Sequence, residues 1–121
     1  MVKVLIINAD ESFRAIMATY LKRRSFSVFV TGSIDEAWDI FLKEKPMTCM
    51  IDPFGIKDYP PMSWNDFIRK GKEIDSVSRF WVSTFLDDSL AEEAKKAGAD
   101  EIVFNVMLAG NELADKLSGR A

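Results

Sequence analysis

The sequence predicts an α/β domain, doubly wound, with a parallel five-stranded sheet of order 2-1-3-4-5. Two observations carry this. Short apolar runs alternate five times with stretches whose apolar residues recur at helical spacing. Those runs are apolar nearly throughout, as strands covered on both faces are. Right-handed crossovers in an open sheet then favour that strand order. The 121 residues suit one domain, spanning 1–121, around one core.

Lys3 to Ile7 reads as the first strand, broken by Asn8-Ala9-Asp10-Glu11. Asp10 can cap the helix that follows, and Glu11 lies in its first turn, where the dipole favours acid. Phe13, Ile16, Met17, Tyr20 and Leu21 form its apolar stripe, and Lys22-Arg23-Arg24 closes it with cations. Phe26 to Val30 is the second strand. Ser33 and Glu36 have the spacing of a capping box, and Ile34, Ala37, Trp38, Phe41 and Leu42 form the second stripe. Thr48 to Ile51 is the third strand and ends abruptly at Asp52-Pro53. A proline-containing loop runs to Pro61. Ser63 can cap a third helix with Trp64, Phe67 and Ile68 inward. Arg79 to Ser83 is the fourth strand. A fourth helix carries Leu90, Ala91, Ala94 and Ala97, and Gly98 stops it. Glu101 to Phe104 is the fifth strand, and Leu113, Ala114 and Leu117 mark a last short helix.

Composition removes several function classes. The chain has no histidine, which excludes His-based metal sites, Ser-His and Cys-His nucleophile pairs and phosphohistidine. The single Cys49 lies inside an apolar strand and reads as a buried packing residue. The net charge of −3 gives nucleic acid no attraction to the chain as a whole. No apolar run reaches the roughly 18 residues of a membrane span, and the first residues do not read as a signal peptide. A cytoplasmic location is expected.

In folds of this kind ligands sit at the carboxyl ends of the strands. The topology brings Asn8, Ala9, Asp10, Asp52, Ser83 and Asn105 to that edge from four separate strand ends. The first turn has no glycine, so its backbone is not built to approach a phosphate, and dinucleotide or NTP binding is disfavoured there.

Val4-Leu5-Ile6-Ile7-Asn8-Ala9-Asp10-Glu11-Ser12-Phe13-Arg14, Asp52 after its apolar strand, Ser83 after Trp81-Val82, and Ala97-Gly98-Ala99-Asp100 together resemble the receiver domain of bacterial two-component response regulators. The resemblance covers essentially the whole chain and implies a single (βα)5 flavodoxin-like domain. It implies that Asp52 holds the phosphoacceptor position and Ser83 the position whose hydroxyl binds the phosphoryl oxygens. Both residue types suit those tasks.

Other positions depart from the family pattern. The acidic pair that holds Mg²⁺ is Asn8-Ala9 here. The lysine after the fifth strand is Asn105, with Val106 in place of the neighbouring proline, and the aromatic switch residue is Ile102. Pro60-Pro61 replaces the glycine-containing loop after the phosphoacceptor. Phosphoryl transfer depends on positioning and electrostatics, and Mg²⁺ wants hard oxygen ligands. β-branched Ile102 is stiff and has no ring to swing.

The leading expectation is therefore a degenerate receiver, or pseudo-receiver. It would be a phosphorylation-independent interaction module with no enzymatic activity and no cofactor. Its implied partner is a protein: a histidine kinase, an output domain or a second copy, with no direct nucleic-acid or membrane contact. Two alternatives stand beside it. One is a working receiver phosphorylated at Asp52, with Asp10 or Glu11 recruited to bind Mg²⁺. The other is a small α/β ligand-binding domain or enzyme using the same crevice.

Overall fold

The structure, a computed structural model, describes residues 1–56 and 62–104. Its elements are β1 (Lys3–Ile7), α1 (Glu11–Arg23), β2 (Ser27–Thr31), α2 (Ile34–Glu44), β3 (Thr48–Ile51), α3 (Trp64–Ile74), β4 (Arg79–Ser83), α4 (Asp88–Ala97) and β5 (Glu101–Val103). All strand pairs are parallel, and the sheet order is β2-β1-β3-β4-β5, as the sequence predicts. The last helix expected from Leu113 to Leu117 lies outside the described residues.

The pleat sends alternate residues to opposite faces, and each face has its own core. Val4, Ile6, Met50 and Trp81 point to the face covered by α1, through Phe13, Met17 and Leu21. Leu5, Ile7, Cys49, Ile51, Phe80 and Val82 point the other way, to α2, α3 and α4. The second core is aromatic at its centre. Phe41, Phe67 and Phe80 are fully buried, with ring centroids 5.7–5.8 Å apart. Each such ring stabilises the fold by about 1.5–3 kcal/mol relative to exposure. Trp38 stacks on Phe41 at the margin of this core, inward as expected. Gly71 of α3 makes the close approach possible, because a Cβ there would lie 2.5 Å from Phe80 Cζ.

Each described helix begins with a side-chain cap. Asp10 accepts from the N–H groups of Ser12 and Phe13, Ser33 from Glu36, Ser63 from Asp66 and Asp87 from Leu90. Such caps contribute about 1 kcal/mol each. The reciprocal capping box expected at Ser33 and Glu36 is found instead at Ser63 and Asp66. The short Asp66 carboxylate reaches back to the Ser63 N–H at 3.3 Å.

The Ala97-Gly98-Ala99-Asp100 segment turns α4 into β5. Gly98 adopts φ 106°, and the Ala99 N–H donates to Ala94 O at 3.0 Å. Asp100 then accepts from the Phe80 N–H at 2.7 Å and from Lys72 Nζ at 2.7 Å, which fastens the start of β5 to β4 and α3.

Several details differ from the sequence reading. The second strand is shifted by one residue, because Phe26 is buried beneath α1 and the ladder begins at Ser27. Ile16 and Leu42 are exposed. The buried stripe of α1 runs through positions 13, 17 and 21. Phe104 has left β5. Among the described residues no helix is long and apolar enough to cross a membrane.

Candidate functional site

The site lies where β1, β3 and β4 end side by side. Asn8 continues β1 by one backbone bond, its N–H donating to Thr31 O at 3.0 Å, and the Asp52 N–H donates to Ile7 O at 2.9 Å. The two side chains meet across this join. Asn8 Nδ2 donates to Asp52 Oδ2 at 3.2 Å, and the Phe54 N–H donates to Asp52 Oδ1 at 3.0 Å. Both carboxylate oxygens therefore have neutral donors.

Asn8 is 5% exposed, and its orientation is fixed from both ends. Its Oδ1 accepts from the Asp10 N–H at 2.8 Å, which leaves only the amide nitrogen to face Asp52. Its backbone carbonyl accepts from the Arg14 guanidinium at 2.7 Å. Arg14 lies against Gly32, where a Cβ would come within 2.8 Å of its Nη1. The chain Asp52–Asn8–Asp10 thus links the end of β3 to the cap of α1, and Arg14 fastens the loop from beneath.

Partial burial raises the pKa of the Asp52 carboxyl above its ordinary value, and the bonds from Phe54 and Asn8 oppose the shift only in part. Ala9 is exposed and has no ligating atom; a Cβ on Gly55 would sit 3.2 Å from its own Cβ. Gly55 takes φ 76° three residues after Asp52. The loop after β3 therefore holds a glycine in left-handed geometry close to Asp52. Pro60 and Pro61 lie outside the described residues.

Ser83 is 1% exposed, and its hydroxyl donates to Phe104 O at 3.4 Å. Ile102 pairs in register with Val82 and packs at the margin of the α2–α4 core. Asn105 lies outside the described residues. The edge thus brings Asn8, Asp10 and Asp52 into one hydrogen-bonded chain. No hydrogen bond joins Ser83 to it among the described residues.

These residues do not fit a divalent cation. The position next to Asp52 presents an amide N–H₂, which is a donor and repels a metal. One oxygen of the Asp10 carboxylate, Oδ1, is engaged as a helix cap. Among the described residues no group of three or more His, Cys, Asp or Glu is placed to hold a metal.

Sequence reasoning missed a row of rings on the same edge. Phe54, Phe85 and Phe104 follow β3, β4 and β5 in turn. Phe85 packs edge-on against Phe54 at 4.9 Å and against Phe104 at 6.0 Å. Phe85 holds φ 51°, in the left-handed region that an aromatic residue rarely adopts. The signal available was Phe85-Leu86, an apolar pair in a loop just before a helix cap.

No family model matches the sequence, and no curated protein does. Solved structures do match in fold. A chemotaxis protein of Vibrio cholerae aligns with TM-score 0.77 at 19% identity, over 100% of this chain and 99% of that one. An orphan response regulator of H. pylori aligns with TM-score 0.80 at 18% identity, over 98% and 95%. A response regulator of Burkholderia pseudomallei, with a phosphorylated aspartic acid and a calcium ion, aligns with TM-score 0.74 at 23% identity, over 98% and 72%. At these identities the likeness is one of fold, and that fold is the receiver fold.

Proposed function

We propose that the chain is a receiver-like domain of two-component signal transduction that works as a phosphorylation-independent protein-interaction module. The observation that carries this is the Asn8 amide facing Asp52 at 3.2 Å. A receiver must bring a cation to the phosphoacceptor, and here the adjacent group is a hydrogen-bond donor held in place by the Asp10 backbone. Asp52 keeps the phosphoacceptor position but acts as a brace between two loops. Ser83 keeps the phosphoryl-binding position with its hydroxyl turned to Phe104. Ile102, packed against the core, supplies no swinging ring. Asn105 supplies no cation for a phosphoryl group. On this reading the protein is not an enzyme, resides in the cytoplasm and acts through a protein partner.

The test is treatment with a small-molecule phosphoryl donor and Mg²⁺, read by intact mass. The expected result is an unmodified chain. A stoichiometric single phosphoryl adduct, abolished by Asp52→Ala, would overturn the proposal.

A further inference from the structure

The charges at the ends of the described helices are sorted to the two edges of the sheet. In a parallel sheet flanked by antiparallel helices, every helix starts at the carboxyl edge of the strands and ends at the opposite edge. Each described helix has acid in its first turn and base in its last. The carboxyl edge therefore carries exposed Asp10, Glu11, Asp35, Glu36, Asp87 and Asp88. The opposite edge carries exposed Lys22, Arg23, Lys43, Lys45, Lys95 and Lys96. Of the acids at this basic end, Glu44 pairs with Lys3 at 3.2 Å and Asp100 with Lys72 at 2.6 Å, while exposed Glu73 and half-buried Asp75 offset part of the positive charge.

Each end also has an apolar centre. At the acidic end Phe54, Phe85 and Phe104 make one continuous row of exposed rings, and Leu86 stands beside them at 86% exposure. At the basic end Met1, Met47, Ile74 and Val77 are exposed. Met1, Val2, Lys3, Glu44, Lys45 and Met47 line a cleft of about 520 Å³ there. It is a shallow, open depression, and its thioethers suit aromatic contact. Apolar centres ringed by polar groups are the anatomy of protein interfaces, and opposite fields bring such surfaces together.

We propose that the acidic, aromatic end of one copy docks on the basic, methionine-bearing end of another. The two surfaces differ, so the contact is head-to-tail and leaves a free end at each step. The product is a ring or a short filament rather than a symmetric dimer. The proposal deepens the interaction-module reading and rests on it for its biological meaning. The two fail separately, because sedimentation reads association and intact mass reads phosphorylation.

The test is sedimentation velocity of the full chain over a concentration series. One arm uses about 0.01 M salt, where charges act over about 30 Å, and the other about 1 M, where they act over about 3 Å. The expected result is association beyond the dimer at low salt that weakens at high salt. Phe85→Gly with Leu86→Ser removes the first surface, and Met47→Ser with Lys45→Glu removes the second. All four positions are exposed, and circular dichroism checks that both variants remain folded. Each variant alone should be monomeric. Mixed together they should give a one-to-one dimer that grows no further, since each keeps one intact end. A wild-type chain that stays monomeric at every concentration would overturn the proposal. So would association that survives loss of either end, or a mixture that forms no dimer.

Discussion

Asn8 donates its side-chain amide to Asp52 at 3.2 Å, and the Asp10 backbone fixes which end of the amide does so. Partly buried Asp52 needs a donor, and the amide provides one. On the proposed reading, the same residue stands where a receiver would hold a metal acid.

Replacing Asn8 by aspartate should reverse this. Asn8→Asp removes the donor and sets a second carboxylate beside Asp52. Stability without metal should fall by about 1–3 kcal/mol. Mg²⁺ should restore part of it, because a ligand that binds only the native state stabilises that state. Urea unfolding with and without Mg²⁺ checks both parts, and the wild type should be indifferent to the ion.

The raised pKa of Asp52 sets a pH dependence. An acid whose folded pKa exceeds its unfolded value binds its proton more tightly in the native state. Its contribution is greatest below the ordinary value near 3.8 and is lost as pH rises through the folded value. The stability of Asp52→Asn relative to wild type should therefore rise over that window and then level off. Denaturant midpoints of both proteins across acidic pH measure it.

Burial pushes the Cys49 thiol up in pKa, with the Ser78 hydroxyl bond opposing the shift only weakly. The thiolate is the reactive form, so a thiol reagent should leave the native protein untouched. Labelling should appear only with global unfolding, since Cys49 sits in a central strand. Labelling rate against denaturant concentration is the measurement.

Asp100→Ala should destabilise the fold by about 1–3 kcal/mol, since it strips the acceptor from the N–H of fully buried Phe80. It also breaks the ion pair with Lys72, which keeps its bond to Ser78 O. The urea midpoint should drop at unchanged m-value. Asp100→Asn keeps a carbonyl oxygen in place and should recover part of the loss.

The central strands and the helix caps were legible because they rest on local chemistry. Asp10, Ser33, Ser63 and Gly98 act where their side chains or their freedom at positive φ are needed. Strand order followed from chirality and the apolar runs. What escaped the sequence depends on contacts between distant residues. Asn8 read as a missing ligand, and its bond to Asp52, 44 positions away, has no local signature. Ile16 and Leu42 fit their helical stripes yet face outward, because the width of a buried face is set by what covers it. The row of rings at 54, 85 and 104 needed the parallel register before three scattered phenylalanines became one surface.

The turn at Phe85 separates two properties that usually move together. A left-handed aromatic residue strains the backbone by about 1–2 kcal/mol, and two edge-on ring contacts of about 0.5–1.5 kcal/mol each offset it. Glycine would remove the strain and the contacts at once. Phe85→Gly should leave the thermal midpoint nearly unmoved while stripping the middle ring from the row. On that expectation the ring at position 85 counts for more in the surface it presents than in the stability of the turn.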